Sequence, residues 1–134
     1  MEAGCSRTSQ TRKLGIKPGH RVSLDTSPPG WALLNPPDIV FVDPPGVVDV
    51  LVAFFRSAEE LPRRLPELVR RIYPAGALWI AWPRRAAGHE SDITDTIVRA
   101  QALPFGLVDI KVAAIDEDWS GLRFVWRVAN RGAS

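Results

Sequence analysis

The 134-residue chain reads as a single α/β domain of three layers. It has a mostly parallel central sheet, a reduced N-terminal half and a C-terminal antiparallel hairpin. Three observations predict this. Val47 to Phe55 and Ala77 to Trp82 are nearly continuous apolar runs, as expected of strands buried on both faces. Between them Leu61, Leu65, Leu68, Val69 and Ile72 recur at helical spacing, so strand, helix and strand follow in the order of a right-handed parallel crossover. Near the C-terminus Leu107 to Ile115 and Leu122 to Val128 alternate in polarity and flank the polar segment Asp116 to Gly121, the pattern of a hairpin.

The elements follow in order. Residues 1–13 lack a hydrophobic period and are expected to be a flexible tail, the domain spans 14–129, and 130–134 form a second tail. Arg21 to Asp25 is the first strand. The Pro28-Pro29-Gly30 bend leads to one helical turn at Trp31 to Leu34, and Ile39 to Val42 is the second strand. The Asp43-Pro44-Pro45-Gly46 turn after it is shorter than the roughly dozen residues of an ordinary parallel crossover. That places Ile39 to Val42 at a sheet edge, with a hairpin partner as one option and the strand's direction left open. Ser57 and Glu60 have capping-box spacing at the start of the first long helix, which Pro62 and Pro66 should bend or split. Arg63, Arg64, Arg70 and Arg71 are expected to face outward. Tyr73-Pro74-Ala75-Gly76 ends this helix. A second helix, capped near Asp92, turns Ile93, Ile97 and Val98 inward. Trp79, Trp82 and Trp126 fall in strand patterns and belong to the packing, whereas Trp31 is the tryptophan expected to be partly exposed.

Composition excludes several classes. With 46% hydrophobic and 24% charged residues the chain can build one core and not two. Its 17 basic and 15 acidic residues give a net charge of +2, short of a dedicated nucleic-acid binder. The arginine surface formed by Arg63, Arg64, Arg70 and Arg71 leaves weak nucleic-acid binding as a lesser alternative. The single cysteine, Cys5, cannot form an internal disulfide, and no apolar run is long enough for a signal peptide or a membrane span. A cytoplasmic setting without a membrane partner is the expectation.

Two segments carry a resemblance. Lys17-Pro18-Gly19-His20-Arg21-Val22-Ser23-Leu24-Asp25 and Tyr73-Pro74-Ala75-Gly76-Ala77-Leu78-Trp79-Ile80 are similar to strand-opening segments of class I S-adenosylmethionine-dependent methyltransferases. The span from Leu14 to about Arg127 resembles a family of small bacterial proteins of unknown function with a Rossmann-like fold. The matching segments are Leu14-Gly15-Ile16-Lys17-Pro18-Gly19, Arg56-Ser57, Ala77 to Arg85, Asp92 and Asp116 to Leu122. These likenesses imply a Rossmann-like, methyltransferase-like fold and assign no activity. Where a cofactor loop would supply closely spaced glycines and free N–H groups, Asp25 is followed by Thr26, Ser27, Pro28 and Pro29. Asp43 stands where a ribose-binding carboxylate would, and reads as an Asp-Pro turn.

The candidate ligand-binding residues are Asp25, Arg56, Ser57, Arg84, Arg85, Asp92, Asp116, Trp119 and Ser120. Arg56-Ser57 and Arg84-Arg85 leave the carboxyl ends of two central strands, the edge at which open parallel sheets bind ligands, and guanidinium groups there suit a phosphate or carboxylate. The bland alternative is a set of solvated loop arginines. The loop from Asp116 to Gly121 can present a carboxylate, the Trp119 indole and the Ser120 hydroxyl, with Asp116 pairing with Arg85, or it can be a structural turn onto which Trp119 folds. His20 and His89 lack ligand spacing for zinc, and no serine lies in a nucleophile elbow. The favoured reading is therefore a non-catalytic binding or regulatory module for a small anion or a protein partner, with no metal and no cofactor. A minimal methyltransferase with an atypical S-adenosylmethionine pocket is the alternative. A homodimer is expected if the edge at Leu122 to Val128 needs covering, unless Arg123 and Arg127 protect it.

Overall fold

In a computed structural model, residues 10–130 are described; the outer residues of both expected tails lie outside them. The elements are α1 (Gln10–Lys13), β1 (Arg21–Asp25), β2 (Val40–Phe41), β3 (Val50–Phe54), α2 (Glu60–Arg71), β4 (Ala77–Pro83), α3 (Asp95–Ala102), β5 (Leu107–Ala114) and β6 (Trp119–Trp126). They form a six-stranded sheet of order β2-β1-β3-β4-β6-β5. The first four strands in that order are parallel, and β6 runs antiparallel to both β4 and β5.

Period-two alternation divides the core. On one face Leu51, Ala53 and Phe55 join Leu78, Ile80 and Trp82 beneath the apolar stripes of α2 and α3. On the other Val50, Val52 and Phe54 join Trp79 and Ala81, covered by Leu14, Ile16, Trp31 and Leu33. The cover on this second face is almost wholly non-helical. Its anchors are polar as well as apolar: Trp79 Nε1 donates to Leu14 O (2.9 Å) and Gln10 Nε2 to Ile115 O (3.2 Å). The chain is consequently ordered against the sheet from Gln10, with Thr11 buried, earlier than the expected boundary at Leu14.

Several local expectations are corrected. Residues 31–34 form no helical turn, because Trp31 and Leu33 are drawn onto the sheet face. β2 is an edge strand, yet it is parallel to β1 and not a hairpin partner. Its short return to β3 needs no helix because buried Arg71 holds the crossover, donating from Nε to Gly46 O (2.9 Å) and from Nη2 to Val42 O (3.1 Å). α2 runs unbroken through both prolines. Pro62 lies in the first turn, where N–H groups have no intrahelical partner, and Pro66 is accommodated within it. Of the four arginines expected outside, Arg63 and Arg70 are exposed, Arg64 is half-buried and Arg71 is buried. α3 is capped by Thr94, whose hydroxyl accepts from Ile97 N at 3.2 Å, and not by Asp92. β6 lies inside the sheet between β4 and β5, so the edge expected at Leu122 to Val128 does not exist. The outer strand is β5, with Ile110 and Val112 exposed.

Candidate functional site

The chain passes from β1 outward to β2 and then back to β3 on the other side of β1, so the switch point of the sheet lies between β1 and β3. Ligands of open α/β sheets bind beyond the carboxyl ends of strands at such a point. Here Asp25 ends β1 and Phe54-Phe55-Arg56 ends β3.

The protein's own side chains fill both faces of that crevice. On the α2 face Arg64 is ion-paired to Asp25 through Nη2, donates from Nη1 to Glu60 Oε1 and Phe54 O (both 2.8 Å), and lies over the Phe55 ring at 4.0 Å. Both terminal nitrogens of its guanidinium are thus engaged, by groups at the ends of β1 and β3 and by α2. On the opposite face Phe54 stands edge-on between Trp31 (4.9 Å) and Trp119 (5.0 Å). Trp31 is fixed in turn by its Nε1, which donates to Asp116 Oδ2 at 2.8 Å. Thr26, immediately after β1, has φ +56°, an unfavourable conformation for a β-branched residue.

The start of α2 explains Ser57 and Asp92. Glu60 Oε2 accepts from Arg56 N (3.2 Å), Ser57 N (3.0 Å) and the Ser57 hydroxyl (3.2 Å), the back-reaching half of a capping box. Burial pushes the Glu60 carboxyl up, but these N–H donors and Arg64 outweigh it and hold the group below its ordinary value. Asp92 Oδ1 accepts from Ala58 N at 2.9 Å, tying the β4–α3 loop to α2.

Further along the same edge the surface opens. A groove of about 410 Å³ lies beyond β3 and β4, lined by Pro28, Arg56, Pro83, His89, Asp118 and Trp119 together with Glu90. Arg56 is exposed and sits 5.3 Å above the Trp119 ring, which is itself buried. His89 Nε2 meets Asp118 Oδ1 at 2.9 Å across the groove. A second hollow of about 460 Å³, on the α3 side, brings Arg84 and Arg85 beside Trp82, Thr94 and Ser120.

The candidate residues are thus divided. Arg56 and Trp119 share one hollow, Arg84, Arg85 and Ser120 share the other, and Asp25 lies apart beneath Arg64. Arg84 Nη1 and Arg85 Nη2 are already donating to Glu117 O (3.1 Å) and Ser91 O (2.8 Å). Asp116 does not pair with Arg85. It accepts from Trp31, and its Oδ1 takes the N–H groups of Asp118 (2.8 Å) and Trp119 (2.9 Å), which builds the hairpin turn. Sequence reasoning missed the His89–Asp118 pair and Arg64. The sequence marks His89 by no pattern beyond the absence of metal-ligand spacing, and the helical period of Arg64 gives no sign that α2 passes beside the end of β1.

The fold, though not the sequence, has known counterparts. No protein-family model matches the chain, and no curated protein matches it in sequence. A ribosomal protein L11 methylase from Lactobacillus delbrueckii subsp. bulgaricus superposes with a TM-score of 0.53 over 88% of this chain and 75% of that one, at 15% identity. A protein of the NADB-Rossmann superfamily from Streptococcus agalactiae gives 0.53 over 89% and 68%, at 9% identity. One described as a possible exported protein from Bordetella parapertussis gives 0.54 over 89% and 66%, at 18% identity. At such identities the likeness defines the class alone: a Rossmann-like α/β domain with a methyltransferase-like fold. No helix among the described residues is long and apolar enough to cross a membrane.

Proposed function

We propose that the chain is a non-catalytic binding module on a methyltransferase-like fold, and that its ligand enters the outer groove at Arg56, Trp119 and His89. The observation that carries this reading is the engagement of Asp25 and Phe54 by Arg64, Trp31 and Trp119. A cofactor at the switch point needs an available carboxylate and a backbone it can approach. Asp25 is instead neutralised by a guanidinium with two further anchors, and the connection after it carries Pro28 and Pro29 in place of donors. These residues do not fit S-adenosylmethionine.

The groove has the opposite character. Arg56 keeps its guanidinium in solvent over an aromatic floor, which suits a carboxylate or phosphate group carried by a small molecule or a partner. Assay of purified protein with methyl-labelled S-adenosylmethionine and cell extract tests the reading. It predicts no label above background. Transfer that Asp25→Ala abolishes would overturn it.

A further inference from the structure

Arg71 is a buried cation without a counter-ion. Its side chain is 2% exposed, and two of its nitrogens donate to the neutral carbonyls of Gly46 and Val42. The third, Nη1, is buried with no hydrogen-bond partner, and no carboxylate pairs with Arg71 among the described residues. Taking an ion out of water on such terms is unfavourable unless an opposite charge lies nearby. The same arginine lines a cavity of about 160 Å³ between α2 and the end of β1, with Thr26, Pro44, Arg63, Arg64 and Glu67.

The charged groups around this cavity are unevenly paired. Asp25 and Glu60 both pair with Arg64. Arg63, Glu67 and Arg71 remain, spaced four apart on one stripe of α2, and Glu67 forms an ion pair with neither arginine. Arg71 is thus a buried cation with no carboxylate partner, beside a space several water molecules in size. Thr26 also lines the cavity, its hydroxyl accepting from Arg64 Nη2 at 3.1 Å and donating to Asp25 Oδ2 at 3.4 Å.

We propose that this cavity binds a phosphate-sized oxyanion, with Arg63 contributing a contact at its mouth and Arg71 the buried positive charge. The site is separate from the Arg56 groove and stands whether or not that groove binds anything. Because Arg71 also holds the β2–β3 crossover, occupancy is coupled to the outer edge of the sheet. The amides of Val40 and Val42, which donate to His20 O (3.0 Å) and Val22 O (2.9 Å), should gain protection when the oxyanion is bound.

The test uses inorganic phosphate as probe, against chloride at matched pH and ionic strength, with phenyl phosphate as a second arm. At about a hundredfold excess over its Kd, phosphate should raise Tm by roughly 10 °C, and hydrogen exchange at Val40 and Val42 should slow. Stabilisation by inorganic phosphate alone assigns the site to the free ion. Equal stabilisation by phenyl phosphate assigns it to the phosphoryl end of a small monoester. Arg63→Gln, on an exposed position that leaves the fold intact, should lower the affinity about tenfold, and Arg71→Met should abolish the effect if it folds. Phosphate indistinguishable from chloride, or an Arg63→Gln variant with unchanged phosphate affinity, overturns the proposal.

Discussion

The carboxyl edge of the sheet is built in two contrasting ways. Between β1 and β3 it is closed by an ion pair on one face and three aromatic rings on the other. Beyond β3 and β4 it is open, floored by Trp119 and lined by exposed Arg56, His89 and Asp118. Trp119 belongs to both regions, since one side of its ring meets Phe54 and another underlies Arg56. A Rossmann-like sheet can thus keep its strand order while its own side chains occupy the switch point. The exposed chemistry is then displaced along the same edge.

This contrast can be broken at graded cost. Phe54→Ala removes a ring that is 1% exposed and held between two tryptophans, so it should lower stability by about 3–5 kcal/mol in chemical denaturation. Arg64→Met leaves Asp25 and Glu60 without their cation in a half-buried setting, and about 1–3 kcal/mol should be lost. A double-mutant cycle with Asp25→Asn should show the two changes to be non-additive.

Smaller effects sharpen the boundary between the regions. Glu60→Gln should cost about 1 kcal/mol at neutral pH through the weakened cap. The folded Glu60 carboxyl titrates below its unfolded value, so its contribution is complete above the unfolded value. It is lost as pH falls through the folded one. Acid titration of the Glu60→Gln variant should therefore show a shallower loss of stability in that window. In the open groove, Arg56→Ala and His89→Ala should change stability by no more than about 0.5 kcal/mol, because both side chains are exposed. Any ligand captured by the groove should be lost in Arg56→Ala.

Much of the fold was legible in local pattern. β1 lies at Arg21 to Asp25 as expected, the continuous apolar runs became β3 and β4, and the leucine period became α2. What was not legible depends on contacts distant in sequence. The parallel direction of β2 rests on Arg71, whose partners lie 25 and 29 residues away. The interior place of β6 follows from its pairing with β4, and nothing within 107–128 distinguishes it from an edge strand.

The site was legible in the same uneven way. Arg56 and Trp119 could be named because both stand beside strand ends, and they do meet. Ser57 is legible as part of a capping box from its spacing to Glu60, and the structure bears this out, whereas Asp92 ties its loop to the start of α2 in place of capping α3. Arg64, 39 residues from Asp25, carried no sequence signal beyond an ordinary helical period.

Calorimetric titration with S-adenosylmethionine and with its demethylated product tests the central claim most directly. With Asp25 bound to Arg64 and Phe54 packed between two tryptophans, the folded protein should give no saturable heat with either compound. Saturable binding that Arg64→Met strengthens and Asp25→Ala removes would contradict the account, because it would show the crevice between β1 and β3 to be a working cofactor site.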